Sequence, residues 1–211
     1  MREIININTK WAFSKEAEQV PEKMPEKWYW VTLPHTWNAI DGQDGGNDYY
    51  RGVAYYAKEI DRTDFPKADQ YYLEIQGANS SADVYLDGTK IAHHDGGYST
   101  WRIDLTDVWK EKSLLVIAVD NSENDFVYPQ VADFTFYGGL YRDVNIVAVS
   151  HSHFDLEYYG GSGICVTPTL TENDAKVEME VFISNAEEGQ KLKYVLKDQS
   201  GTIVADFISD I

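Results

Sequence analysis

The sequence predicts an all-β protein, and three observations predict it. Aromatic residues make up 14% of the chain, with 15 tyrosines and 6 tryptophans, and such side chains suit a pleated, half-buried surface. β-Branched and aromatic runs of strand length recur along the chain with turn residues between them. Helix signals are scarce: Pro21 and Pro25 interrupt the charged stretch after Phe13, and each removes a backbone donor.

The elements follow in order. Strands are expected over 28–33, 49–60, 71–76, 82–86, 98–103, 114–120 and 141–149. Phe65-Pro66 suits a strand end, and Asn79 a turn between strands. Asp87-Gly88 links Val84-Tyr85-Leu86 to Lys90-Ile91-Ala92, a type I′ hairpin because glycine accepts positive φ. Gly96-Gly97 marks another turn, and 106–110 could form one helical turn capped by Thr106. These turns suit a Greek-key sandwich over residues 1–150. A boundary is expected near Ser150. Beyond it Val177, Met179, Val181 and Ile183 share one face while Lys176, Glu178 and Glu180 share the other. Leu192, Tyr194 and Leu196 repeat that alternation, as in a sheet with one solvated face. Residues 151–211 are too few for an immunoglobulin-like sandwich of roughly 100 residues. The expectation is therefore a piece of a longer polypeptide, whose second sandwich exposes strand edges and apolar residues such as Val177 and Val181.

Charge and composition exclude several function classes. The formal net charge is −17, which repels phosphate backbones and argues against nucleic acid. No run approaches the roughly 18 apolar residues of a membrane helix. The start of the chain lacks the apolar core of a secretory leader. The one cysteine, Cys165, can close no internal disulfide, and between Ile164 and Val166 it is expected to be buried. A reducing cytoplasm is the expected compartment.

Few clusters carry chemistry by pattern alone. His151 and His153 fall on one strand face without a third ligand in sequence, and His93-His94 alternate faces, so neither reads as a metal site. The acidic, glycine-rich loop 41–48 departs from the spacing of a calcium hand. His35 reads as a packing residue, and Arg142 and Asp143 as structural ion pairs.

Specific segments carry a resemblance. In order they are Leu33-Pro34-His35-Thr36-Trp37-Asn38, Asp41-Gly42-Gln43-Asp44-Gly45-Gly46 leading to Tyr49-Tyr50-Arg51-Gly52-Val53, Ala82-Asp83-Val84-Tyr85-Leu86-Asp87-Gly88, His94-Asp95-Gly96-Gly97-Tyr98, Val119-Asp120-Asn121, and the stretch from Asp133-Phe134 through Gly138-Gly139-Leu140-Tyr141-Arg142-Asp143-Val144. The chain resembles the N-terminal part of glycoside hydrolase family 2, the β-galactosidase, β-glucuronidase and β-mannosidase family. The resemblance implies a sugar-binding jelly roll over 1–150 and the first part of an immunoglobulin-like sandwich over 151–211.

It also implies that the catalytic glutamates of a retaining mechanism lie on a barrel outside this chain. The family's Asn-Glu acid/base pair occurs nowhere here, so this chain alone is expected to be inactive. By the same resemblance Asp133, a few positions before the Gly-Gly-Leu-Tyr-Arg segment, binds the sugar beside the scissile bond, and Asn38 is a looser second candidate. The fragment is expected to need no cofactor; the resemblance allows a sodium or magnesium ion in the whole enzyme, and homo-oligomers. The expected parent is a β-galactosidase acting on a β-galactoside-like glycone, with β-glucuronidase or β-mannosidase as the alternative within the family. A self-standing lectin-like module and an assembly domain are the readings outside it.

Overall fold

The computed structural model describes residues 2–42, 48–128, 130–132, 134–172 and 174–211. It divides into two units, one of 1–150 with 156–161 and one of 151–155 with 162–211.

In the first unit ten strands run β1 Arg2–Asn6, β2 Trp11–Ser14, β3 Tyr29–Val31, β4 Val53–Asp61, β5 Gln70–Ile75, β6 Ser81–Leu86, β7 Thr89–Asp95, β8 Trp101–Asp104, β9 Lys112–Asp120 and β10 Val144–Val149. They form two antiparallel sheets, β1-β10-β5-β8 and β3-β2-β4-β9-β6-β7. The inward residues of both sheets meet in one core: Leu73, Ile75 and Ile146 from the first, Tyr56, Val84 and Ile117 from the second, all wholly buried. This is the jelly-roll sandwich the resemblance implied. A smaller cluster lies on the outer face of the six-stranded sheet, where Val20, Met24 and Trp28 from the proline-broken stretch cover Ala12, Ala57 and Val116.

Several expected strands start later than their hydrophobic runs. The 49–60 run enters its strand only at Val53, because Gly52 stands at φ 155° and Tyr50 is held by side chains of other loops. The 98–103 and 141–149 runs likewise pair only from Trp101 and Val144. Strands β1 and β2 were not foreseen; both are short, and Ile4 in β1 is exposed. At the β6–β7 hairpin Asp87 and Gly88 have φ 49° and 78°, the pair of positive values a type I′ turn requires. The turn after β8 is capped by Asp104, which accepts from the Thr106 N–H at 2.8 Å, while the Thr106 hydroxyl accepts from Tyr71 N–H. Arg142 donates to the carbonyls of Tyr98 and Gln76, and Asp143 accepts from Asn8, so neither forms the ion pair expected of it.

A buried ion pair closes the outer face of the four-stranded sheet. Arg102 Nε donates to Glu74 Oε2 at 2.7 Å, with both side chains almost without exposure. Its Nη1 donates to the carbonyls of Leu156 and Gly161. That stretch thereby lies against the first unit.

In the second unit, β11 His153–Phe154 pairs β14 Ile183–Ser184, β12 Ile164–Leu170 pairs β13 Ala175–Val181, and β15 Lys191–Lys197 pairs β16 Ile203–Asp210. These are three two-stranded ladders. Every residue of β12 is exposed, Cys165 among them, so that thiol is not the buried apolar group its neighbours suggested.

Candidate functional site

The loops at one end of the sandwich are joined by a buried amide hub. Asn38 lies between β3 and β4 and has no exposed surface. Its Nδ2 donates to Asp41 Oδ1 and to the Tyr50 carbonyl, each at 3.1 Å. Its Oδ1 accepts from the Gly138 N–H at 2.8 Å and from Asn121 Nδ2 at 3.3 Å. Asn121, equally buried, accepts from the Gly52 N–H and donates to the Tyr50 carbonyl. All four hydrogen-bonding positions of Asn38 are therefore engaged by this chain's own groups. Asp41 also accepts from the Tyr50 N–H at 3.1 Å.

Further bonds stitch the 130–142 loop onto its neighbours. The Thr36 hydroxyl donates to the Gly138 carbonyl, the Thr135 hydroxyl to the Gly42 carbonyl, and Asn79 Nδ2 to the Tyr137 carbonyl, all at 2.7–2.8 Å. Asn79 and Gly139 pair through their backbones. Glycine is required at 138, where a Cβ would collide with the Trp37 ring and the Asn121 amide. His35 donates its backbone N–H to the Leu140 carbonyl, and its ring packs on Phe13 and bonds Tyr56. Burial pushes the His35 pKa down, which keeps the ring neutral in its packing role.

Beside the hub opens a cleft of about 440 Å³ walled by Thr36, Asn79, Tyr98, Phe134, Tyr137 and Tyr141. Tyr98 stacks on Tyr128, which stacks in turn toward Phe136. The Tyr128 hydroxyl bonds Asn79 Oδ1. Burial, and then the neighbouring Tyr98 and Tyr141, push its pKa up, so it stays a neutral donor. Its rim combines aromatic faces with the hydroxyls and amide of Thr36 and Asn79, groups able to stack on an apolar ring face and bond hydroxyls.

Of the two residues expected to meet sugar, Asp133 lies outside the described residues, flanked in sequence by Ala132 and Phe134. Asn38 is described, at the centre of the hub. The fold brings it against Gly138, five positions beyond Asp133, so one cluster joins the two candidate loops. Asn121 and Gly138 went unrecognised as parts of this site, because their partners lie 83 and 100 residues away in sequence. An asparagine directly after the apolar run of β9 was the available signal. Among the described residues no group of three or more His, Cys, Asp or Glu side chains is placed to hold a metal ion. Of the loop 41–48, Gln43, Asp44, Gly45, Gly46 and Asn47 are outside the described residues.

Residues 49–129 match the family described as glycosyl hydrolase 2 galactose-binding domain-like. The chain carries the galactose-binding-like domain of glycoside hydrolase family 2. A β-glucuronidase of Bacteroides fragilis is 34% identical over 187 residues, covering 87% of this chain and 26% of that protein. A β-galactosidase of Thermoanaerobacter pseudethanolicus is 24% identical over 226 residues, covering 100% of this chain and 29% of that protein. Among solved structures, the FMN-binding β-glucuronidase from Facaelibacterium prausnitzii L2-6 superposes with a TM-score of 0.89 at 39% identity, over 100% of this chain and 32% of that one. The galactose-binding-like domain and the ladders that follow it thus span between a quarter and a third of these relatives. The homologues are glycoside hydrolase family 2 β-glucuronidases and β-galactosidases.

Proposed function

We propose that this chain is the non-catalytic, sugar-facing part of a retaining β-glycosidase whose catalytic carboxylates lie elsewhere in the whole protein. The observation that carries this reading is the match of the entire chain to about a third of a β-glucuronidase at 39% identity. Asp133 accepts hydrogen bonds from the glycone's hydroxyls. A carboxylate suits that task, because charge-assisted bonds are about twice as strong as neutral ones. Contacts that tighten as the oxocarbenium-like transition state forms then raise turnover. Asn38 acts through the hub, holding the 130–142 loop where that carboxylate is needed.

The glycone is a glucuronide in the first reading, on the identities to β-glucuronidases. A galactoside is the second, on the Thermoanaerobacter relative and the family description. The test compares the full-length protein, its Asp133→Ala variant and the 211-residue chain on aryl β-glucuronide and aryl β-galactoside. Full-length protein should cleave one of them, Asp133→Ala should turn over at least about tenfold slower while remaining folded, and the isolated chain should cleave neither. Robust cleavage by the isolated chain, or full turnover in Asp133→Ala, would overturn the reading.

A further inference from the structure

The loop that carries Asp133 has a tether on each side of that residue. On the far side the Thr135 hydroxyl donates to the Gly42 carbonyl at 2.8 Å. On the near side the Arg51 Nη2 donates to both the backbone carbonyl and the Oε1 of Gln130, each at 3.1 Å. No residue of the opening description assigned a task to Arg51 or Gln130.

Arg51 is well placed to impose a position rather than follow one. Its backbone sits between two residues locked into the amide hub: Tyr50, whose N–H and carbonyl are held by Asp41 and by Asn38 and Asn121, and Gly52, whose N–H is held by Asn121. Its guanidinium lies over the ring of Tyr49, 5.3 Å from the centroid, and that ring is buried. A cation stacked on an aromatic face is steadied without spending its hydrogen-bond donors. Grasping one residue through both its carbonyl and its side-chain oxygen fixes the direction of the chain as well as the rotamer. A second observation concerns the same amide. Among the described residues, the enclosed Gln130 Nε2 has no acceptor. A buried donor left so costs free energy, and here the orientation set by Arg51 leaves it for a group beyond those described.

We infer that Arg51, acting through Gln130, is a positioning residue for the sugar-binding carboxylate. The inference rests on the reading that Asp133 meets the glycone. Displacement of a binding group by about 1 Å can cost on the order of 10²-fold in rate, so releasing one tether has a kinetic effect out of proportion to its effect on folding.

The experiment uses the full-length protein with the aryl glycoside it cleaves, and four variants: Asp133→Ala, Arg51→Ala, Arg51→Lys and the Asp133→Ala/Arg51→Ala double. Asp133→Ala should lose at least about tenfold in kcat/KM. Arg51→Ala should lose about tenfold with its thermal midpoint nearly unchanged, and Arg51→Lys, which keeps a multi-proton donor, should recover part of that loss. In the double variant the Arg51 change should add less than about twofold, because its effect passes through a carboxylate already gone. If Arg51→Ala keeps full activity, or its loss is undiminished in the Asp133→Ala background, the positioning role is wrong while the Asp133 reading stands. If Asp133→Ala itself keeps full turnover, both fall.

Discussion

Removal of the Glu74 carboxylate would test how much the first unit depends on its buried ion pair. Glu74 and Arg102 side chains retain only 4% and 6% of their exposure, so little solvent is present to screen a stranded guanidinium. Glu74 Oε1 also accepts from Asn145 Nδ2 at 2.9 Å and Gln76 Nε2 at 3.2 Å. Glu74→Ala therefore strands one buried cation and two amide donors. Breaking a buried pair from one side costs about 3–5 kcal/mol, a large share of the roughly 5–15 kcal/mol available to a domain. Urea unfolding at pH 7 should show this as a lowered midpoint at unchanged slope. Replacing both partners, Glu74→Leu with Arg102→Met, should recover much of the loss, since no unpaired charge remains. What stays lost belongs to the Leu156 and Gly161 carbonyls that Arg102 also serves.

The pH dependence has a definite sign. Burial pushes the Glu74 pKa up, but hydrogen bonds from Asn145, Arg102 and Gln76 outweigh it and hold the group below 4.5. The stabilisation is then present above the unfolded-state value and lost as pH falls through the folded one. The gap between the natural protein and Glu74→Ala should narrow on acidification. A cost under about 1 kcal/mol at pH 7 would show that the pair is screened like a surface bridge, and the argument from burial would fail.

Other expectations are as direct. Asn38→Ala should cost roughly 1–3 kcal/mol for each buried group it leaves unpaired, and Asn38→Asp at least as much, since it sets a second carboxylate against Asp41; chemical denaturation reads both, and a neutral Asn38→Asp would contradict the assigned donors. Gly138→Ala should destabilise by at least about 1–3 kcal/mol by driving a methyl into Trp37 and Asn121, measurable as a lowered thermal midpoint. His93 bonds Asp83 at 2.5 Å and Asp95 at 3.0 Å, beside Lys90, and these bonds raise its pKa above 6.5. Its contribution is present below 6.5 and lost as pH rises through the raised value. A proton NMR titration of His93 with its midpoint at or below 6.5 would refute that pairing.

The sandwich was legible wherever local chemistry and packing agreed. The β6–β7 hairpin combined an Asp-Gly turn with a strand pattern, and the apolar run of β9 is almost wholly buried in the sheet. Strand starts were not legible where a hydrophobic run crosses into a loop. Tyr49 and Tyr50 look like strand residues, yet Tyr50 spends its N–H and carbonyl on Asp41 and Asn38 instead of a ladder. Cys165 shows the limit of reading burial from neighbours, because its strand pairs on one side only and no second sheet covers it among the described residues.

Asn38 shows why the site was harder to read than the fold. A periodic pattern reports which face of a strand is buried, but an asparagine's partners are fixed only when distant loops meet. Here one amide joins 38, 41, 50, 121 and 138, so its effect is non-local and its type gives no hint of it. Burying so many polar groups stabilises little by itself, since each intramolecular bond replaces one to water at a net gain of about 1 kcal/mol. What such a hub supplies is a single arrangement: any loop that shifts leaves buried donors without acceptors, and the alternatives become costly together. Three loops fixed relative to one another through their side chains are more than the sandwich core requires, for that core is closed by Leu73, Ile117 and their neighbours without them. The excess order at this end is what a domain needs if a carboxylate on its surface is to meet a sugar held by groups from outside the domain.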